Sequence, residues 1–259
     1  MRTALPMGTI KIINVGSGSK GNATFFFDGK TLIQIDMGIA KTTVNECLKE
    51  INKSIADVDA LLITHNHNDH IKGLANIKYE NVYAPYLEYA SDELHLIRHK
   101  KKIKIGDFEI TCFSSSHDAP YSANFVIKHN KTKIVYVTDT GIIKKSAKSL
   151  LNNANLYYFE SNYDLEMLEN SGRPIWLINR IKGDKGHLGN VQAGEYLSLF
   201  IGDKTEKILL AHLSEDCNRP EIAYEEVKRI IQDNGVNFNF DNLVLTKQYE
   251  PTFEELYED

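Results

Sequence analysis

The stretch ALLITHNHNDH, residues 60–70, joins an apolar run to three histidines and an aspartate. The apolar run is typical of a buried β-strand, and the polar residues follow at its end, where loops carry function. In an extended chain the side chains alternate between two sides, so His65 and His67 project in the same direction. Two imidazoles placed in this way can bind one metal ion.

Asp69 and His70 come where the chain turns toward a helix that is predicted to begin near Ile71, so they can face a second ion. Imidazole and carboxylate ligands suit zinc, and also manganese or iron. Three of the chain's nine histidines lie in this one cluster, which argues against a chance grouping. The segment therefore predicts a site for divalent metal ions at the end of a buried strand.

The composition is that of an ordinary globular protein. The chain has 259 residues, of which 42% are hydrophobic and 25% are charged, which suffices for an α/β domain with its own core. A single domain over residues 1–259 is expected, because no repeat or Pro/Ser-rich linker interrupts the sequence. No stretch has the roughly 20 apolar residues of a membrane span, and no signal peptide is apparent. These features predict a cytoplasmic protein without membrane attachment.

Cysteine content and charge limit the classes of function. The three cysteines, Cys47, Cys112 and Cys217, are far apart and form no CxxC pair, so neither a disulfide framework nor a zinc ribbon is predicted. The net charge is −5, whereas a protein that grips long nucleic acid usually has a basic surface. The short basic runs, residues 99–104 and Lys144–Lys145, are more typical of solvated loops.

Apolar and turn residues alternate in a way that predicts two strand-rich halves. Strands are predicted at residues 10–15, 24–27, 32–35, 60–63, 108–113, 124–127, 134–137, 156–159, 208–210 and 243–245. A helical section is expected between the strands that end at 63 and begin at 108. Further helices are predicted at residues 43–51, 164–168, 191–200 and 221–232. Asp28–Gly29 is typical of a two-residue hairpin turn.

Two strand-rich halves with helices outside them favour an α/β fold built as a four-layer αββα sandwich. A doubly wound parallel sheet is the alternative. It is less favoured, because the glycine-rich segment GSGSKGN, residues 16–22, lacks the spacing of a dinucleotide-binding or phosphate-binding loop.

The motif HxHxDH after an apolar strand resembles the signature of the metallo-β-lactamase superfamily, whose fold is this four-layer sandwich. Four other short segments resemble the remaining motifs of that superfamily in the same order: residues 35–38 (IDMG), 116–118 (SHD), 137–141 (VTDTG) and 210–214 (LAHLS). Each segment alone is weak. Their order along the chain makes the set specific.

The resemblance implies that seven residues bind two divalent ions, with zinc or manganese expected. The ligands of the first ion would be His65, His67 and His117. The ligands of the second would be Asp69, His70 and His212. Asp139 would bridge both ions, and Asp36 would support the histidine loop from behind without binding metal. The remaining histidines His95, His99 and His129 match no motif and are expected on the surface.

The residues at these motifs indicate which branch of the superfamily the chain resembles. β-Lactamases commonly have a cysteine at the position of Asp139, and glyoxalase II-like thioesterases have a His-Thr-Pro-Gly-His pattern where this chain reads Ser-His-Asp-Ala-Pro. The segment GHLGN, residues 186–190, followed by a helix, a strand and His212, resembles the phosphodiesterase branch, which includes RNase Z.

A closer resemblance is to the YycJ/WalJ-type proteins of bacteria, and it covers roughly residues 10–220. The segments that carry it are residues 16–22, 115–119, 159–162 and 211–215. Those relatives are associated with 5′-to-3′ DNA exonuclease activity, so the resemblance implies a metal-dependent phosphodiester hydrolase that acts on nucleic acid ends.

The resemblance also implies a catalytic role for three residues. Asp69 would orient the nucleophile as well as bind metal. His187 would contact a phosphoryl oxygen or protonate the leaving alkoxide, and Glu160 would hold the ring of His187 in the required tautomer.

Two other functions stay open on the sequence alone. A cyclic-nucleotide phosphodiesterase of the same fold would need no extended basic surface, which suits the acidic net charge and the absence of an obvious basic arm. A non-catalytic metal-binding sensor is the more remote alternative. A homodimer is also an open expectation, since dimers are frequent among similar phosphodiesterases.

Overall fold

The computed structural model describes residues 8–74, 80–85 and 94–258, and these form two seven-stranded sheets. Strands and helices are numbered along the chain. The first sheet has, in spatial order, β14 (Thr252–Tyr257), β1 (Thr9–Gly16), β2 (Ala23–Phe27), β3 (Leu32–Ile35), β4 (Ala60–Leu62), β5 (Val82–Ala84) and β6 (Leu94–Leu96). The second has β13 (Leu243–Leu245), β12 (Lys207–Ala211), β11 (Leu156–Glu160), β10 (Thr132–Val137), β9 (Ala123–His129), β8 (Phe108–Ser114) and β7 (Lys102–Ile105).

Helices cover the outer faces of the sheets. They are α1 (Lys41–Leu48), α2 (Asn68–Ile71), α3 (Lys148–Leu151), α4 (Leu165–Glu169), α5 (Ile175–Ile181), α6 (Asn190–Phe200) and α7 (Pro220–Asp233). Short 3₁₀ turns occupy Lys49–Ile51, Ile55–Asp57, Lys72–Leu74 and Phe240–Asn242. Among the described residues, no helix combines the length and the apolar composition that crossing a membrane requires.

The side chains of each strand point alternately to the two faces of its sheet, and this explains the four layers. In β1, Ile10 and Ile12 join a core shared with β8–β11, whereas Ile13 packs in another core beneath α1. In β11, Tyr158 enters the shared core, and Phe159 packs on the other face against α6 and α7. Both faces of each sheet are thus buried, which gives helix, sheet, sheet and helix layers.

Helix α7 packs an apolar face against α6. Helix α7 begins with Pro220, whose fixed φ suits the first turn. Its buried residues Ala223, Val227 and Ile230 follow helical spacing and face α6. A Cβ on Gly194 of α6 would lie 2.9 Å from Ile230 Cβ, so the glycine permits the close contact between the two helices.

The four-layer αββα sandwich predicted from the sequence is confirmed, and the alternative of one doubly wound parallel sheet is wrong. The hairpin at Asp28–Gly29 is present, but its loop has four residues, because Phe27 pairs with Leu32. The Asp28 side chain accepts hydrogen bonds from the amides of Lys30 (2.8 Å) and Thr31 (2.7 Å). These bonds give two amides of the wider turn a partner and so stabilise it.

The helical section expected between residues 63 and 108 is wrong in its described part. Only α2 and the 3₁₀ turn after it are helical, and β5, β6 and β7 follow. Strands β5 and β6 extend the first sheet in parallel beyond β4. Strands of three residues are too short to show a period of their own, so tertiary pairing decides them. Residues 75–79 and 86–93 of this section lie outside the described residues.

The expected surface position of His129 is also wrong. The ring packs against Phe108, with 4.9 Å between the ring centroids, and it lies between the carboxylates of Asp28 and Glu258. Those partners come from the β2–β3 loop and from the segment after β14, far away in the sequence. His95 and His99 are exposed, as expected.

Candidate metal centre

Nine residues predicted for the site come from loops and strand ends at one end of the sandwich. His65–His70 follow β4, His117 follows β8, Asp139 follows β10, and His212 follows β12. Strands β8 and β10 are both antiparallel to β9, so their carboxyl ends lie at the same edge. Glu160 ends β11, and His187 lies between α5 and α6. The topology thus brings together residues that are distant in sequence.

Two of these residues, Asp139 and His212, and the supporting residue Asp36 adopt a left-handed backbone conformation within two residues of the end of a strand. The φ angles are 58° for Asp36, 49° for Asp139 and 57° for His212. Such angles cost about 1 kcal/mol or more for residues other than glycine, and they concentrate at functional sites. Here the abrupt turn directs each side chain inward, so the rest of the fold supports local strain in order to build the centre.

The first group of donor atoms consists of three histidines. Ligand atoms of His65, His67 and His117 lie within 4.8 Å of one another. His67 Nδ1 is 3.2 Å from His117 Nε2. His117 Nδ1 is 3.0 Å from the carbonyl oxygen of Gly186 and donates to it, so its Nε2 presents a lone pair to the centre. A second contact of this kind typically orients a histidine that binds metal.

The second group combines histidine with carboxylate. His70 Nε2 lies 3.1 Å from Asp139 Oδ2 and 3.4 Å from Asp69 Oδ2. Behind it, His70 Nδ1 is 2.7 Å from Asp36 Oδ2. His212 Nε2 lies 3.8 Å from Asp69 Oδ2, too far for a hydrogen bond. The structure thus places Asp139 between the two groups, since it also belongs to a set with His65 and His70.

Two buried nitrogens test whether metal ions fit this arrangement. Within the described part of the chain, His65 Nε2 and His212 Nε2 are buried and have no hydrogen-bond partner. A buried polar atom without a hydrogen-bond partner costs about 1–3 kcal/mol, and few buried polar groups in native proteins lack one. One of these nitrogens lies in each donor group. Metal ions in the two groups would give both nitrogens a partner, so the residues present fit such ions.

The histidines of the two donor groups also differ in the direction in which their pKa values are shifted. Burial and the neighbouring positive charge of His70 hold the pKa of His65 well below its usual range, and burial also lowers the pKa of His117. These rings are neutral and offer lone pairs. Burial would lower the pKa of His212 too, but Asp139 and the other carboxylates around it raise that pKa to about 10. Carboxylates with so strong an effect favour a cation among them.

His187 and Glu160 form a pair beside Asp139. His187 Nδ1 lies 2.8 Å from Glu160 Oε1 and 3.5 Å from Asp139 Oδ1. Glu160 is fully buried, and its other oxygen accepts hydrogen bonds from the amides of Thr140 (2.9 Å) and Leu188 (3.2 Å). Burial would raise the pKa of Glu160, but the positive charge on His187 lowers it below its ordinary value. The ionised carboxylate therefore accepts the Nδ1 proton of His187.

The same atoms allow a second arrangement. Ligand atoms of Asp139, Glu160, His187 and His212 also lie within 4.8 Å of one another, partly because Glu160 Oε1 is 3.1 Å from His212 Nδ1. The side chain of His187 is 18% exposed, whereas that of His212 is 2% exposed. Because His187 is the more accessible ring, it is better placed to contact a substrate than to bind a buried ion.

Several supporting residues were not found by sequence reasoning. Asn22 Nδ2 donates to Asp69 Oδ2 at 3.3 Å, and the Thr64 hydroxyl donates to Asp36 Oδ2 at 2.7 Å. Asn22 ends the segment GSGSKGN, and Thr64 precedes the histidines, so position next to a motif is the signal that could have indicated them.

An ion pair at the rim was also missed. Arg180 Nε donates to Asp118 Oδ2 at 2.5 Å, and Asp118 Oδ1 lies 3.8 Å from His67 Nε2. Nothing in the sequence around Arg180 indicates this contact, because α5 was not predicted.

Comparison with known proteins agrees with this geometry. The model of the beta-lactamase superfamily domain matches residues 37–213. Exodeoxyribonuclease YycJ of Bacillus anthracis is 35% identical over 236 residues, which are 85% of this chain and 89% of that protein. Exodeoxyribonuclease WalJ of Streptococcus pneumoniae serotype 2 (strain D39) is 34% identical over 244 residues, 87% and 90% of the two chains.

Among solved structures, the metallo-β-lactamase fold protein YhfI from Bacillus subtilis aligns with a TM-score of 0.69 and 16% identity, over 94% of this chain and 99% of that one. That likeness concerns the fold. Together with the match of the family model and the two relatives, it shows that the chain belongs to the metallo-β-lactamase superfamily. The chain is a metal-dependent hydrolase, in keeping with its clustered histidine and aspartate side chains.

Proposed function

We propose that this hydrolase uses two divalent ions to cleave phosphodiesters at the ends of nucleic acid strands, in the manner of a 5′-to-3′ exonuclease. The observation that carries the proposal is the His187–Glu160 pair, 2.8 Å apart, at the edge of a centre with two groups of metal-donor atoms. Such a pair supplies the acid that a leaving alkoxide requires. The names of the YycJ and WalJ relatives support a DNA substrate.

The ligand roles follow from the two donor groups. The first ion would be held by His65, His67 and His117. The second would be held by Asp69, His70 and His212. Asp139 would serve both, and zinc or manganese would suit these ligands. When bound, the ions supply a water of lowered pKa and neutralise charge on the phosphoryl oxygens.

The chain's own residues position the reaction. Asp69 is held by Asn22 and points toward the second donor group, where it orients the nucleophile as well as binding metal. His187 donates a proton from Nε2 to the leaving alkoxide. Its Nδ1 proton stays hydrogen-bonded to Glu160, whose negative charge stabilises the imidazolium ring before the transfer.

A substrate panel tests the proposal. Purified protein is supplied with Mn²⁺ or Zn²⁺ and given bis(p-nitrophenyl) phosphate, 5′-phosphorylated DNA, single-stranded RNA and cyclic mononucleotides. Hydrolysis of the generic diester together with stepwise shortening of DNA from its 5′ end is the expected result. Turnover of cyclic mononucleotides alone would replace the proposal with the small-molecule alternative. Metal binding without turnover of any diester would indicate a sensor.

Two further expectations accompany the proposal. We expect a homodimer, which is frequent among similar phosphodiesterases, and light scattering of the purified protein would give the mass that tests this expectation. The cytoplasmic location would be measured by fractionation of cells that produce the protein.

A further inference from the structure

A groove of about 700 Å³ opens beside the metal centre, and His117 forms part of its wall. This volume is within the roughly 300–1,000 Å³ of typical ligand sites. The described residues that line it come from four segments: Pro85 after β5, residues 96–99 at the end of β6, the end of β8 with its following loop, and Lys144 from the loop that also holds Asp139. It is therefore continuous with the centre and shares two of its loops.

The described lining of the groove has a charge opposite to the net charge of the chain. The chain has a net charge of −5, yet the described residues that line the groove include Arg98, His99 and Lys144 and no aspartate or glutamate. Lys144 Nζ lies 3.4 Å from the carbonyl oxygen of Ser115, near the motif that contains His117. Within the part of the chain described, neither Arg98 nor Lys144 has an ion-pair partner. Cations left without a carboxylate beside a hydrolytic centre are suited to bind anions.

Two arginines outside the groove differ from Arg98 in having a carboxylate partner among the described residues. Arg180, at the rim of the same centre, is paired with Asp118, and Arg173 is paired with Asp216. Arg98, His99 and Lys144 line the same groove, and the positive charges of Lys100 and Lys144, after some desolvation, lower the pKa of His99. The described lining of the groove therefore carries positive charge, although the chain as a whole is acidic.

The remaining lining suits nucleotides rather than a bare anion. Leu96, Ile97 and Ala119 give it apolar surface, and Ser114 and Ser122 add hydroxyl groups. Tyr121, which is 72% exposed, also lines it. Cationic grooves that follow a phosphate backbone and contain an aromatic ring on which a base can stack are typical of single-strand binding.

We propose that this groove holds the polynucleotide strand next to the scissile phosphodiester, with Lys144 and Arg98 contacting its following phosphates. The inference rests on the proposed function and extends it, because it requires a substrate of several nucleotides. It explains how an acidic protein can act on nucleic acid: cations that line one groove beside the centre can hold the strand without a basic face. It also gives Lys144 a role beyond that of a solvated loop residue, whereas of the run at 99–104 only His99 lines the groove.

The test compares substrates that fill the groove with one that cannot. Steady-state kinetics are measured on 5′-phosphorylated single-stranded DNA oligonucleotides of increasing length, on RNA of the same sequences, and on bis(p-nitrophenyl) phosphate. The variants are Lys144→Ala, Arg98→Ala and the double variant, with Lys144→Arg to restore the charge. Lys131→Ala is the matched control. Lys131 is an exposed cation in the turn before β10, at the end of the sandwich opposite the centre.

The expected result is a loss specific to long substrates. The ratio of kcat/KM for the oligonucleotides to that for bis(p-nitrophenyl) phosphate falls about tenfold or more in the double variant, mainly through KM. The slope of log KM against log NaCl concentration falls by about 1.4, because each phosphate contact on a single strand contributes about 0.7. Lys144→Arg recovers most of the effect of Lys144→Ala, and Lys131→Ala keeps the wild-type ratio.

Two contrary results are distinguishable. If the wild-type protein shortens oligonucleotides but the double variant keeps the wild-type KM and salt slope, the groove does not hold the strand and the inference fails alone. If the wild-type protein hydrolyses bis(p-nitrophenyl) phosphate but neither DNA nor RNA, the proposed action on nucleic acid ends fails, and the inference fails with it. If the loss in the double variant increases with oligonucleotide length in either the DNA or the RNA series, the inference that the groove holds the strand is supported. The series with the lower KM identifies the preferred sugar.

Discussion

Histidine and carboxylate side chains cluster at both ends of the sandwich, and the two clusters differ in one respect. At the end opposite the metal centre, His129 Nδ1 lies 2.8 Å from Glu258 Oε1, and its Nε2 lies 3.2 Å from Asp28 Oδ2. Both ring nitrogens are therefore paired. At the metal centre, His65 Nε2 and His212 Nε2 are buried without a partner among the described residues.

The difference shows what identifies a metal site. Ligand atoms of Asp28, Asp107 and His129 also lie within 4.8 Å of one another, so proximity of suitable atoms does not separate the two clusters. What separates them is whether the buried ring nitrogens have hydrogen-bond or ion-pair partners. The His129 ring has a carboxylate at each of its nitrogens and links the β2–β3 loop to residue Glu258. In the metal centre, a buried nitrogen of each donor group has no such partner among the described residues, as expected where a cation is to bind.

The largest effect is expected from His67→Ala, which removes a donor from the first group. Metal content should fall, and hydrolysis of bis(p-nitrophenyl) phosphate should drop about a thousandfold or more, because metal ions supply several kcal/mol of transition-state stabilisation. Metal analysis and kinetics of the same sample make the measurement. Full turnover by a metal-free His67→Ala protein would remove the metal mechanism. His129→Ala is the matched histidine control and should keep its metal.

His187→Ala separates the acid from the ligands. The variant should keep its metal content and lose about a hundredfold in kcat, since general acids contribute about 10²–10⁴. Substrates with a good leaving group, such as p-nitrophenolate, need less help from an acid and should lose less. If the metal content fell instead, His187 would belong to the donor set with Asp139, Glu160 and His212.

Asp36→Asn tests the support behind His70. The hydrogen bond from His70 Nδ1 to Asp36 Oδ2, 2.7 Å, fixes which ring nitrogen faces the second donor group. Without the carboxylate, metal affinity should fall about 10- to 100-fold. Competition with a chelator of known affinity measures this fall. An unchanged affinity would show that the orientation of His70 is fixed by other contacts.

The smallest effect on activity is expected from His129→Ala in the paired cluster. Loss of two hydrogen bonds to charged groups should lower the free energy of unfolding by about 2 kcal/mol, measured by urea denaturation. Hydrolysis and metal content should stay at the wild-type level. Loss of metal from this variant would contradict the distinction between the clusters.

The sequence predicted the metal centre better than its surroundings. The residues that the structure brings together at the centre could be predicted because each lies in a short motif near a strand end, and because the order of the motifs resembles one superfamily. The partners of His129 could not be found, since Glu258 reaches it only through the pairing of β14 with β1. Strands β5 and β6 were missed for the related reason that pairing with β4, not local pattern, makes them strands.

The groove was missed for another physical reason. Its cations come from segments that are far apart in the sequence, Arg98 after β6 and Lys144 after β10. Net charge averages over the whole chain and therefore hides a local field of opposite sign. Only the tertiary structure shows that the described residues lining this groove include these cations and no aspartate or glutamate.

The central claim, two divalent ions that enable hydrolysis of a phosphodiester, is tested most directly by metal titration. Wild-type protein is stripped with a chelator, and Mn²⁺ or Zn²⁺ is returned while bound metal and hydrolysis of bis(p-nitrophenyl) phosphate are measured together. The account predicts no turnover in the stripped protein and a rate that rises to its maximum as two ions bind per chain. Undiminished turnover in the stripped protein would contradict it.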